Sequence, residues 1–167
     1  MKEIDIKKFG INPMQWIGED WMLITAGNEE NGFNTMTASW GHLGTIWNKD
    51  TAIAYIRPQR YTLGFVEKEE RFTLTFFDRE KRQDLAYLGS HSGKDEDKLA
   101  KTSLTPVFFD GTTGFKEAKL TLVVKKLYLD CLKEEGFLDT SLAQDHYPSG
   151  DYHYVFIGEI EKAYVGE

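Results

Sequence analysis

Four short stretches of the 167-residue chain carry side chains with chemistry to offer. The first is Asn34-Thr35-Met36-Thr37-Ala38-Ser39-Trp40-Gly41. On an extended strand Thr35, Thr37 and Ser39 project from one face and Met36, Ala38 and Trp40 from the other. Uncharged donors beside small residues, which leave backbone N–H groups approachable, suit a planar heterocycle with carbonyl oxygens and ring nitrogens, or part of a phosphate. Trp40 can cover an aromatic ring. The plainer alternative is a β-prone strand that turns its threonines to solvent.

The second stretch, Arg57-Pro58-Gln59-Arg60-Tyr61-Thr62, puts two guanidinium forks beside a strand-to-helix turn, a pattern that favours phosphate. A solvated surface turn would look the same. The third, Gly89-Ser90-His91-Ser92-Gly93 followed by Lys98, offers hydroxyls, glycines and a point charge ahead of an expected short helix. It lacks the spacing of a P-loop. The fourth joins His146-Tyr147 to Asp151-Tyr152-His153, and either histidine can hold or give a proton near neutral pH. The four histidines show no metal-ligand spacing and there is one cysteine, Cys131, so no metal site is expected. A nucleophile elbow and a Gly-x-Gly-x-x-Gly dinucleotide turn are both absent, so a redox cofactor needs another scaffold.

The elements that must position these residues are mostly strands. Runs at 21–26, 33–40, 51–57, 71–77, 119–132 and 152–165 are apolar or alternating, with Gly158 expected at a bulge. Helical patterns cover 59–69, 79–88 (Asp78 as N-cap, Gly89 as stop), 94–102 (Ser92 as cap) and 141–146. Many strands with a few short helices predict a mainly β fold, a closed or nearly closed antiparallel barrel with flanking helices. No linker or repeat divides the sequence, so residues 1–167 are expected to form a single domain.

Composition narrows the function classes. A net charge of −7 argues against nucleic acid and anionic membrane as partners. No apolar run reaches membrane-helix length and no secretory signal is present, so the expected location is cytoplasmic. Cys131 lies in an apolar alternation and is expected to be a buried small hydrophobe. Aromatics reach 14%, and residues 31–48 carry no formal charge.

Taken in order, "NTMTASWGHLGTIW" (34–47), "AIAYIRPQRYT" (52–62), "FTLTFF" (72–77), "LGSHSGKDEDK" (88–98) and "GDYHYVFIGEI" (150–160) resemble the flavin reductase-like proteins of the FMN-binding split-barrel fold, and among them the flavoredoxin group. The resemblance implies a six-stranded Greek-key barrel, non-covalent FMN and a homodimer. It implies that Asn34, Thr35, Thr37, Ala38, Ser39 and Trp40 line the isoalloxazine and ribityl chain. Arg57, Arg60 and Thr62 would lie near the phosphate and ribityl end, joined by Ser90, Ser92 and Lys98. His153 matches the histidine near the redox face, although Tyr152 intervenes after Gly150-Asp151, and His146 competes for that role. The implied activity is a flavin reductase that passes electrons from NADH, NADPH or a protein donor through FMN to a flavin, metal or protein acceptor. The alternative is a flavoredoxin-type carrier with no NAD(P)H oxidation of its own.

Overall fold

The computed structural model describes residues 1–166. Ten strands and three α-helices follow in the order β1 (Lys2–Ile4), β2 (Met22–Asn28), β3 (Gly32–Ala38), β4 (Gly41–Ile46), β5 (Lys49–Ile56), α1 (Thr62–Lys68), β6 (Arg71–Phe76), α2 (Arg82–Ser90), β7 (Pro106–Phe109), β8 (Thr112–Phe115), β9 (Leu120–Cys131), α3 (Thr140–His146) and β10 (Tyr154–Val165). Seven strands form one antiparallel path, β3-β2-β6-β9-β10-β5-β4, and β1 pairs with the far end of β10. β7 and β8 form a separate hairpin.

β3 and β4 stand at opposite ends of that path, yet Ser39 and Trp40 alone connect them. A two-residue link spans less than about 11 Å, so the sheet must curl until its two edges meet. No hydrogen-bond ladder joins β3 to β4 among the described residues, so the barrel is split there and not closed. The expected six strands become eight in the main sheet. β4 escaped notice because Gly41-His42-Leu43-Gly44 has no clear apolar alternation, and β1 because it is three residues long.

Curling creates an inside and an outside. Met22, Ile24, Ala26, Phe72, Leu74, Leu120, Leu122 and Phe156 fill the barrel. Leu23 faces outward into a second core with Leu85 and Leu88 of α2 and Phe115 of β8. β2 is therefore buried on both faces, which explains why 21–26 is an unbroken apolar run. Of the two register shifts between β9 and β10, one lies at Ile157/Gly158, the expected bulge, and the other at Ile160/Lys162. A Cβ at Gly158 would stand 2.4 Å from Val124 Cγ1, so only glycine lets the strands bend against each other there.

Two helix boundaries differ from expectation. Gly89 lies inside α2, which runs on to Ser90 and ends at His91 in extended conformation. Asp78 precedes a short 3-10 turn and makes no capping bond. Residues 94–102 form no α-helix: turns lead into a 3-10 segment, Leu99–Lys101. Ser92 does cap a turn, its Oγ accepting from the Lys94 N–H at 3.2 Å. Cys131 is half-buried, its thiol beside the Tyr152 carbonyl at 3.7 Å.

Candidate functional site

The groove of interest begins where β3 ends. Thr37, Ala38, Ser39 and Trp40 form one wall of a cavity of about 240 Å³, with Tyr55, Arg57, Arg60 and His153 around the rest. A second cavity of about 200 Å³ is lined by Asn34, Arg60, Thr62, Ser90, Ser92, Gly93 and Lys98. Arg60 lines both, so the two cavities are lobes of one groove.

The first lobe is lined by aromatic rings. Trp40 leans on His153 with ring centroids 5.0 Å apart and meets His146 edge-on at 5.4 Å. His153 is 8% exposed, and its Nδ1 lies 2.7 Å from the Tyr147 hydroxyl. Burial, and then the Arg57 charge, push its pKa down to about 4, so the ring is neutral at neutral pH. Arg57 donates to Asp151 Oδ2 at 2.5 Å and to the His146 carbonyl at 2.8 Å, and its guanidinium sits 5.0 Å over the Tyr147 ring. Gln59 also donates to Asp151, at 2.9 Å.

The second lobe is polar. Arg60 Nη1 donates to the Gly89 carbonyl at 2.9 Å, and burial lowers the guanidinium's pKa. Lys98 is 4% exposed and its ammonium donates to the Leu88 carbonyl at 2.8 Å and the His91 carbonyl at 2.9 Å. A cation on the last carbonyls of α2 pins the Ser90–Ser92 segment in place. Burial, then the Arg60 charge, bring its pKa down to about 8. Gly93 presses on β3 so closely that a Cβ there would lie 2.1 Å from Asn34 Oδ1.

The hydroxyl face of β3 exists, but two of its three hydroxyls are spent inside the protein. Thr35 Oγ1 shares a 2.7 Å hydrogen bond with Thr25 Oγ1, and Thr37 Oγ1 donates to the Leu85 carbonyl at 2.5 Å. Asn34 Nδ2 donates to Thr62 Oγ1 at 2.8 Å. Thr35 lines neither lobe, nor does His146, whose ring meets Trp40 edge-on. Ser90 Oγ donates to the Ala86 carbonyl at 2.9 Å, and Ser92 holds its turn. Arg57 belongs to the aromatic lobe and not to the polar one. Tyr55 escaped the sequence reading; strand alternation, which puts it on the same face as Arg57 two residues on, was the available signal.

Beside the first lobe lies a larger, mainly apolar recess of about 810 Å³, sharing Ser39, Trp40 and Tyr55 with it and lined further by Met14, Ile17, Leu43 and Tyr147. Among the described residues no group of three or more His, Cys, Asp or Glu side chains could hold a metal ion, and no helix is long and apolar enough to cross a membrane.

No family model and no curated protein matches the chain. Solved structures do. The FMN-binding protein of Thermus thermophilus superimposes with a TM-score of 0.68 at 21% identity, covering 88% of this chain and 72% of that one. The flavoredoxin of Desulfovibrio vulgaris gives 0.68 at 21%, over 88% and 69%. An FMN-binding domain of a flavin reductase-like enzyme from Shewanella baltica gives 0.67 at 15%, over 98% and 76%. The chain has the split-barrel fold of these FMN-binding flavoredoxin and flavin reductase-like proteins. In this split barrel the groove sits at the split itself, with Ser39 and Trp40 as both the link between the two edges and part of the groove wall.

Proposed function

We propose that this split barrel binds FMN non-covalently in the two-lobed groove and acts as a flavin reductase-like oxidoreductase. The observation that carries the reading is the groove's division about Arg60: small residues and aromatics with Arg57 in one lobe, hydroxyls with the half-buried Arg60 and the buried Lys98 in the other. FMN is divided the same way, with a planar ring system at one end and a phosphate at the other. Bound there, FMN would supply reversible one- and two-electron chemistry.

The chain's own residues bind and orient. Ala38 and Ser39 leave room for a flat ring against β3, and Trp40 and Tyr55 bound that space. Arg60 contributes fixed positive charge between the lobes. Lys98 adds charge from behind the Ser90–Ser92 segment and shapes it, its donors at Leu88 and His91 being carbonyls of the protein. Arg57, tied to Asp151, supports the aromatic wall through Tyr147. His153 faces this lobe as the neutral imidazole and is assigned over His146 as the side chain at the redox end.

The apolar recess beside Trp40 and Tyr55 is the proposed approach for an electron donor, NADH or NADPH in the reductase reading. A flavoredoxin-type carrier that takes electrons from a protein is the alternative, favoured by the likeness to flavoredoxin structures. A homodimer is proposed through the exposed Leu127, Tyr128 and Leu129 of β9 together with Trp47. The absorption spectrum of the purified protein tests the first step, and a protein that stays colourless and takes up no added FMN refutes it. Stopped-flow mixing of the FMN-loaded protein with NADH or NADPH then separates reductase, whose flavin band bleaches rapidly, from carrier, whose band bleaches only with a protein donor.

A further inference from the structure

His153 Nδ1 and the Tyr147 hydroxyl form one buried hydrogen bond, 2.7 Å long, and the question is which atom carries the hydrogen. Besides His153, the side chains against the Tyr147 ring are Arg57 and Phe137, which have no acceptor to give, and Tyr152, whose hydroxyl makes no hydrogen bond to it among the described residues. Asp151, the carboxylate nearest this group, takes Arg57 and Gln59 and makes no hydrogen bond to Tyr147. Among the described residues the hydroxyl has no acceptor except His153 Nδ1. A phenol that donated nowhere would leave a buried O–H unsatisfied, which is costly. The phenol is therefore the donor and Nδ1 the acceptor.

We propose that Tyr147 is a positioning residue which locks His153 in the tautomer bearing its hydrogen on Nε2, so that the ring offers the groove a hydrogen-bond donor.

Two observations support the assignment. Burial and the nearby Arg57 charge hold the ring neutral at neutral pH, so it carries one hydrogen and not two. His153 also lines the aromatic lobe while Nδ1 is occupied, and Nε2 is not among the buried atoms left without a partner, so it meets the open groove. Trp40 at 5.0 Å and Tyr55 at 6.3 Å restrain the ring from two further sides. A neutral Nε2–H donor recognises an acceptor, a carbonyl oxygen or an unprotonated ring nitrogen, and repels a protonated one. Resting on the flavin reading, this makes the histidine complementary to the acceptor-rich edge of oxidised flavin, and Tyr147, which does not itself line this lobe, the residue that sets that preference.

Long-range 15N–1H NMR correlation of the histidine ring in the flavin-free protein reads the tautomer directly. The wild-type ring is expected to show a protonated Nε2 and a bare Nδ1; a protonated Nδ1 at neutral pH overturns the proposal without any variant. In Tyr147→Phe the ratio of tautomers is expected to shift toward Nδ1–H by about tenfold, the weight of one lost hydrogen bond. An unchanged ratio in a folded Tyr147→Phe protein also overturns it. Both readings need no FMN, so failure of FMN to bind would refute the flavin proposal and leave the tautomer result standing. If FMN does bind, Tyr147→Phe is expected to shift the flavin's midpoint potential while Phe137→Leu, which disturbs the same aromatic packing without touching the hydrogen bond, leaves it in place; equal shifts in both would overturn the positioning role.

Discussion

Arg60 reaches across 2.9 Å to the carbonyl of Gly89, and that single bond ties the turn ahead of α1 to the last turn of α2. Both residues line the polar lobe, so the guanidinium braces the groove as well as charging it. Removing it costs both. Arg60→Ala is expected to weaken FMN binding about 10- to 100-fold, the range for losing a hydrogen bond to a charged group. Arg60→Lys should recover only part of this, because an ammonium cannot reproduce the fork. Fluorescence titration with FMN measures both, and wild-type affinity in Arg60→Ala would remove the residue from the site.

The fit of the Gly93 turn against β3 gives a graded test. A Cβ at Gly93 would strike Asn34 Oδ1 at 2.1 Å, whereas a Cβ at Gly89 meets Thr37 Cβ at 3.1 Å. Gly93→Ala must displace Asn34, whose amide is bonded to Thr62, and is expected to lower both thermal stability and FMN affinity. Gly89→Ala also lies in α2, where alanine is favoured by up to about 1 kcal/mol, so its net effect should be small. Thermal melts of the two variants rank them; an equal or reversed order would contradict the close approach.

His153 couples stability to pH. Its pKa is about 4 in the fold and near 6.5 when exposed, so between those values the unfolded chain binds the proton and the folded chain does not. Stability from this group is fully present above about pH 6.5 and is lost as pH falls to 4, by on the order of 3 kcal/mol at most. Urea midpoints across that window should fall more steeply for wild type than for His153→Gln. Parallel curves would show that the imidazole titrates freely in the folded state.

Lys98 has a dependence of the same sign, at higher pH. Its folded pKa, about 8, lies below the ordinary 10.5, so the unfolded chain holds more protons in between and stability rises with pH across that range. Lys98→Met should flatten the rise and, by leaving the Leu88 and His91 carbonyls without their donor, loosen the Ser90–Ser92 segment and weaken FMN uptake. An unaltered pH profile with unaltered FMN titration would assign Lys98 to neither role.

Trp40 is 41% exposed and forms a wall of the aromatic lobe. Of the four tryptophans it is the one lining the groove, so FMN binding should quench its emission and Trp40→Phe should lose most of that quenching. Persistence of the full quench in the variant would place the flavin elsewhere.

Much of this was legible because it is periodic. The runs at 71–77 and 119–132 became β6 and β9, and Gly158 marked a bulge, since a buried strand must be apolar and a backbone contact leaves no space for a Cβ. What could not be read was partnership. The sequence places Thr35 and Thr37 on one face, but only packing shows that Thr25 and the Leu85 carbonyl use their hydroxyls. Burial of β3 between the barrel interior and α2 is itself enough to keep charge out of 34–38. Lys98 reads by composition as a point charge for a phosphate; what the sequence does not reveal is that its ammonium also donates to the Leu88 and His91 carbonyls at the end of α2. Tyr147 and His153 are six residues apart across a turn, a distance no periodic rule connects.

The link of Ser39 and Trp40 joins the first and last strands of the sheet path, with no ladder beside it among the described residues. At that seam no strand ladder resists opening, in contrast to the rest of the path, and side-chain contacts such as the Asn34–Thr62 hydrogen bond hold the wall. A molecule resting on these two residues and on Tyr55 of β5, beside the facing edge, acts as a clasp across the seam. Its binding energy is then also energy that keeps the barrel shut, and the empty protein should breathe at its own site.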